Sequence, residues 1–169
     1  MWIFAYGSLI FRPDFPWLER RRAFVSGFAR RFWQGSPDHR GVPDAPGRVV
    51  TLVEQTGVAC GGCAYRIAPE GAEEILVALD AREQAGFERR RVDLLDAPGG
   101  DPFARGITWV AGPANRHFLG PLPEREIAEI IRVRRGPSGP NVEYALRLRE
   151  ALRQLEIHDD HVEAIAAHL

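Results

Sequence analysis

The stretch that most constrains this chain lies at residues 48–67. Two runs there, 48–54 (RVVTLVE) and 58–67 (VACGGCAYRI), have the β-branched and apolar character of strands, separated only by a short turn at Gly57. Residues 1–10 (MWIFAYGSLI) form another such run, ending at the Gly7-Ser8 turn, and residues 91–95 and 107–111 add two more strand candidates. Helical periodicity intervenes irregularly. One helix is predicted over 72–82, with Ala72, Ile75, Leu76 and Leu79 on its inward stripe, and a second over 124–133, with Ile127, Ile130 and Ile131 inward. Asn141 can cap a third, whose stripe includes Ala145, Leu148, Leu152 and Leu155. Asp159 or Asp160 can cap a short last one, with Val162, Ile165, Ala166 and Leu169 on one side. Strands outnumber what a regular βαβ repeat would supply, so the class is α+β, a mixed sheet with flanking helices.

With 169 residues and neither an internal repeat nor a low-complexity linker, one domain over residues 1–169 is expected. The basic residues are 22 arginines and no lysine, which invites a nucleic-acid reading. They are offset by 23 acidic residues for a net charge of −1, so no basic field covers the chain and no nucleic-acid partner is expected. The triplets Arg20-Arg21-Arg22 and Arg89-Arg90-Arg91 read as solvated faces or partners of nearby acids. No apolar run reaches the ~18 residues of a membrane helix. The apolar start has neither a basic leader nor a cleavage site, so a secretory signal is not expected. Two cysteines make no disulfide framework, and the cytosol is the expected compartment. Residues 36–47 and 98–105, rich in Pro, Gly and Asp, read as loops; the first carries His39 and Arg40.

Several segments suggest chemistry. Cys60-Gly61-Gly62-Cys63 is a lone CxxC inside a strand-like run, where positions three apart point to opposite faces, so two small apolar residues fit better than a redox pair. Zinc would need a second ligand pair, for which His158 and His161 have the only spacing worth weighing. The segment 158–161 (HDDH) sits where a helix should begin and reads as a solvated cap. Residues 136–141 (GPSGPN) lack the Lys-Ser/Thr of a phosphate loop and read as a rigid turn that can border a site. Ser8 has no GxSxG elbow, which argues against a serine hydrolase. Glu83 stands apart. Eleven, seven and four residues after Ala72, Leu76 and Leu79, it extends their apolar face. Either it faces a cleft, where desolvation would raise its pKa towards that of a neutral-pH acid/base, or it pairs with Arg89, Arg90 or Arg91 as a structural acid.

The blocks FAYGSLI (4–10), RRFWQGS (30–36), DHRG (38–41), PGRVVTL (46–52), LDARE (79–83) and GPSG (136–139) occur in that order. Together they resemble the ChaC family, γ-glutamylcyclotransferases that act on glutathione, over essentially the whole chain. The resemblance implies a barrel-like sheet with the site at one end. It also implies that Glu83 is the catalytic acid/base and that Ile3, Phe4, Ala5, Tyr6, Gly7 and Ser8 form the binding turn for the γ-glutamyl group. Cleavage to 5-oxoproline and cysteinylglycine needs no metal, nucleotide or other cofactor. Arg31 and Arg40 are the candidates for the substrate's carboxylates, and Tyr144 for a hydroxyl at the pocket rim. The family usually has Gly at Ala5, Trp at Phe11 and Tyr at Phe87; the last change removes a hydroxyl. The rival readings are a cyclotransferase for other γ-glutamyl amides or amines, and a γ-glutamyl-binding module without catalysis.

Overall fold

The computed structural model describes residues 1–83 and 85–169. The apolar N-terminal run forms β1 (Trp2–Ala5), of which all but Trp2 is buried. Next come β2 (Glu19–Ser36) and β3 (Gly47–Arg66), a long antiparallel hairpin paired from Glu19 opposite Arg66 to Ser36 opposite Gly47, with register shifts at 26–28 and 31–34. The turn expected at Gly57 does not reverse the chain. Residues 55–58 loop out opposite Gly27 alone, between the pairs Ser26/Ala59 and Phe28/Glu54, and both halves of β3 continue along β2. Gly27 and Gly57 have φ of +78° and +82°, a conformation only glycine adopts cheaply, so the excursion is a wide bulge in one strand.

β2 has no counterpart among the sequence-derived strands. Its arginines mask an alternation that holds through the first half, and Arg30 is 1% exposed because its charge is fully partnered. Arg30 Nε donates to the Tyr6 carbonyl at 2.7 Å, Nη1 to Asp159 Oδ2 at 2.6 Å, and Nη2 to the Gly61 carbonyl. A guanidinium so satisfied can be buried without an uncompensated charge.

After α1 (Ala72–Arg82) the chain forms a second hairpin, β4 (Glu88–Leu95) with β5 (Pro102–Val110). The expected loop at 98–105 is instead Asp96–Asp101, and the last four residues of the expected range belong to β5. β5 returns to β1 in parallel, Ile107 opposite Ile3, and Phe24 opposite Leu95 joins the hairpins. The result is a closed mixed barrel in the order β1-β3-β2-β4-β5, which agrees with the α+β, barrel-like expectation. The remaining elements are α2 (Glu124–Val133), the two-residue strands β6 (Arg135–Gly136) and β7 (Gly139–Pro140), α3 (Asn141–Gln154) and α4 (Asp160–Ala166). The last three helices pack on one another and against β2 and β3.

Asn141 does not cap α3. Its amide instead grips both backbone groups of Arg48, accepting from the N–H at 2.6 Å and donating to the carbonyl at 2.8 Å. Asp159 does cap α4, accepting from Val162 N–H at 3.1 Å, but the segment is not wholly solvated. His161 is buried and accepts the Phe32 N–H at 3.1 Å. Cys60 and Cys63 are buried free thiols, and burial pushes the Cys60 thiol up to about 11, so it stays protonated. Among the described residues no helix is long and apolar enough to cross a membrane.

Candidate active site

The C-terminal ends of β1, β2 and β5 and the start of β3 come together at one end of the barrel, a consequence of parallel β1/β5 and antiparallel β1/β3 and β2/β3 pairing. They border a cavity of about 400 Å³, within the ~300–1,000 Å³ typical of small-molecule sites. The chain leaves β1 through Tyr6 and Gly7 into a single 3-10 turn, Ser8–Ile10. The first bond of that turn is Ile10 N–H to the Gly7 carbonyl at 3.0 Å, so the N–H groups of Gly7, Ser8 and Leu9 precede any acceptor within it. The Arg30 bond to the Tyr6 carbonyl fixes the orientation of the peptide plane. In a trans peptide the Gly7 N–H then leaves from the opposite edge. Gly7 is needed for space: a Cβ there would lie 3.1 Å from Val50 Cγ2 and 3.2 Å from the Tyr144 hydroxyl.

Glu83 closes the site from the end of α1. It is the C-cap residue, its N–H bonded to the Leu79 carbonyl at 2.9 Å, so it keeps the inward direction set by the buried stripe Ala72, Leu76 and Leu79. Its side chain is 20% exposed. Burial raises the carboxyl from 4.5 to about 7; Arg82 pulls it down and Asp38 pushes it up. Pairing with the Arg89–Arg91 triplet, the alternative left open by the sequence, is not the arrangement found. Arg89 is held by Asp80 at 2.5 Å, Arg90 lies 3.7 Å from Glu88, and the cation near Glu83 among the described residues is Arg82, at 3.8 Å.

The opposite wall comes from the loop after β2 and the β6–β7 hairpin. Ser36 Oγ accepts the Arg40 N–H at 3.0 Å, and His39 Nδ1 lies 3.0 Å from Ser138 Oγ. The Ser138 N–H donates to the His39 carbonyl at 2.9 Å. Gly136 allows this approach, since a Cβ there would stand 2.4 Å from the His39 carbonyl oxygen. Arg40 is buried, bonded through Nη1 to the Pro140 carbonyl at 3.0 Å, 3.9 Å from Glu143 and over the Tyr144 ring.

Of the residues singled out in the sequence, Phe4, Ala5, Tyr6, Gly7, Ser8, Arg40, Glu83 and Tyr144 line this one cavity, as do Phe11 and Phe87. Ile3 does not. It is wholly buried in β1 between Tyr65 and Ile107, because alternation along the strand turns it into the core. Arg31 also lies outside. It bonds Gln55 Oε1 at 3.0 Å and sits over the Trp33 ring, being one position along β2 from the inward Arg30. Tyr144 is in the buried wall rather than at the rim, its oxygen accepting the Val50 N–H at 3.3 Å, and burial pushes its phenol far above the usual range. Tyr6 likewise stays a neutral phenol, donating to the Trp109 carbonyl at 2.6 Å. The sequence reading did not single out Arg82, Asp38 or Trp109, all of which line the cavity. The first two lie in the LDARE and DHRG blocks beside residues that were singled out, whereas Trp109 has no local signal.

A protein-family model described as "ChaC-like protein" matches residues 1–169. This chain belongs to that family. Glutathione-specific gamma-glutamylcyclotransferase 1 of Homo sapiens is similar to this ChaC-like chain, 41% identical over 169 residues that cover 98% of this chain and 76% of the human one. Gamma-glutamylcyclotransferase 2-3 of Arabidopsis thaliana is 41% identical over 172 residues, covering 98% of this chain and 86% of its own. The crystal structure of a γ-glutamyl cyclotransferase specific to glutathione from yeast superposes with a TM-score of 0.88 at 31% identity, covering 99% of this chain and 96% of that one.

Proposed function

We propose that this ChaC-like protein is a glutathione-specific γ-glutamylcyclotransferase in which Glu83 is the general base and acid. In glutathione the α-amine of the γ-glutamyl unit attacks its own side-chain carbonyl, the amide C–N bond breaks, and 5-oxoproline and cysteinylglycine leave. The nucleophile is already tethered, so holding the reactive conformer is a large part of catalysis, worth several kcal/mol. The amine is mostly an ammonium at neutral pH and cannot attack. Ionised Glu83 takes its proton and returns it to the departing amide nitrogen, without which that nitrogen is a poor leaving group.

The carrying observation is that Glu83, raised to about 7, shares its cavity with the Tyr6–Ser8 turn. A carboxyl titrating there can both accept and give back a proton near neutrality. Backbone N–H groups of Gly7, Ser8 and Leu9 are the donors for the developing oxyanion. The Gly7 N–H is pre-aligned by the buried Arg30, which needs no reorganisation during the reaction. Arg40, charged and mostly desolvated, is the anchor for a substrate carboxylate. Phe4, Ala5, Phe11 and Phe87 supply apolar wall. The choice of glutathione over other γ-glutamyl amides is supported by relatives named glutathione-specific, whose matches cover 98% and 100% of this chain. The buried free cysteines fit a reducing cytosolic setting.

The test is a panel of γ-glutamyl amides and amines offered to the purified protein, with 5-oxoproline as the readout. Glutathione should be cleaved stoichiometrically to 5-oxoproline and cysteinylglycine, well ahead of the others. Faster release from another γ-glutamyl compound would overturn the substrate assignment, and tight binding of glutathione without any product would overturn the enzyme assignment.

A further inference from the structure

We infer that Arg82 is a positioning residue, its guanidinium clamping the end of α1, and with it the Glu83 carboxyl, onto the turn at residues 7–12. The inference rests on the acid/base role proposed for Glu83. That carboxyl hangs at a helix end, where the backbone leaves helical geometry (φ −89°, ψ 28°) and the last carbonyls lack intrahelical partners. The backbone bonds of Glu83, its N–H to the Leu79 carbonyl at 2.9 Å and its carbonyl to the Phe87 N–H at 3.3 Å, hold it to its own segment and not to residues 7–12, yet proton transfer needs its carboxyl held to about half an ångström against that turn.

Arg82 supplies it. Nη2 donates to Ser8 Oγ at 2.9 Å, and Nη1 to both the Arg12 carbonyl at 3.1 Å and Asp14 Oδ2 at 2.9 Å. Among the described residues these are the hydrogen bonds that join α1 side chains to residues 8–14. The third nitrogen, Nε, faces Glu83 Oε1 at 3.8 Å. One rigid planar fork thus reaches the binding turn on one side and the reacting carboxyl on the other, which a flexible ammonium cannot do. Asp14 holds the fork in place and is itself held by Arg12 Nε at 3.0 Å.

Arg82 has a second, electrostatic effect on the same carboxyl. The groups that act on Glu83 are Arg82 on α1, Asp38 in the loop after β2, and the phenols of Tyr6 and Tyr144. Both phenols are neutral at working pH, so the opposed charges are Arg82, which favours the ionised base, and Asp38, which disfavours it.

The two effects separate in two variants, compared by kcat, KM and the pH profile of kcat/KM with glutathione. Arg82→Lys keeps the charge and loses the fork. It should lower kcat by about 100-fold, with a smaller change in KM and the lower pH limb where the native protein has it. Arg82→Gln loses both, so its kcat should fall as far and its lower limb should move up by about one unit. A folded Arg82→Gln protein with native kcat, or with an unmoved limb, would overturn the inference. Should that variant fail to fold, Asp14→Asn releases one anchor at an exposed position and should lower kcat about threefold, with the limb in place; an unchanged kcat would be equally adverse. Glu83→Gln, run alongside, keeps the two claims apart: turnover by that variant would sink the acid/base reading itself.

Discussion

Replacing Glu83 by glutamine should make the protein more stable at alkaline pH while abolishing its proposed chemistry. The carboxyl is raised from 4.5 to about 7 in the folded chain, chiefly by burial, so folding favours its protonated form. Below about pH 4.5 both folded and unfolded chains hold the proton and the carboxylate imposes no cost. As pH rises, the unfolded chain ionises first, and the stability contributed by the raised pKa is lost progressively until the folded carboxyl also ionises near 7. Beyond that the loss levels off at about 3 kcal/mol, from about 1.4 kcal/mol per unit. At pH 5 the loss is still below about 1 kcal/mol. Glutamine keeps the shape and never ionises, so it escapes the loss. For a chain of this size 1 kcal/mol moves the melting temperature by roughly 2–4 °C, which puts Glu83→Gln about 10 °C above the native protein at pH 8 and nearly level with it at pH 5. Thermal melts followed by circular dichroism across pH 5–8 read this directly. Parallel curves for the two proteins, with no widening gap towards pH 8, would refute the claim that the carboxyl is held in a desolvated site.

Three other outcomes follow from the same geometry. Gly7→Ala puts a methyl 3.1 Å from Val50 Cγ2 and 3.2 Å from the Tyr144 hydroxyl; steady-state kinetics should show kcat/KM reduced by about 10- to 100-fold, with the melting temperature lowered by a few degrees. Arg40→Lys keeps a charge but loses the planar fork bound to the Pro140 carbonyl at 3.0 Å; KM for glutathione should rise about tenfold, with kcat changed less. Activity should persist in a strong chelator, since every proposed step is carried by side-chain and backbone groups; loss that a divalent cation restores would contradict this.

What the sequence made legible was local. Ala72–Arg82 and Glu124–Val133 are helices, and most of each expected stripe is buried because it is written within a few turns of chain; Ile75 and Ile130 are only half-buried, and Ala128 joins Ile127 and Ile131 inside. Glu83 could be picked out for the same reason, lying four residues beyond Leu79 on one face. What escaped depended on distant partners. No strand was read over β2, and Arg30 is buried there because Tyr6, Gly61 and Asp159, at separations of 24, 31 and 129 residues, satisfy it. Arg30 and Arg31 are adjacent in one recognisable block, and only the strand's alternation decides that the former supports the binding turn while the latter faces away. Gly57 signalled a break correctly, but a positive φ serves a hairpin turn and a bulge alike, and the choice was made by β2 pairing on both sides. Asn141 had the composition of a cap and became a clamp on Arg48 instead, a tertiary use that outcompeted the local one.

The most direct test of the proposed chemistry is 5-oxoproline release from glutathione by the Glu83→Gln protein, measured beside the native protein under identical conditions. The expected result is a folded variant that binds glutathione and turns it over at least about 100-fold more slowly than the native protein. Turnover within a few-fold of native by that folded variant would contradict the assignment of Glu83 as the group that moves the proton.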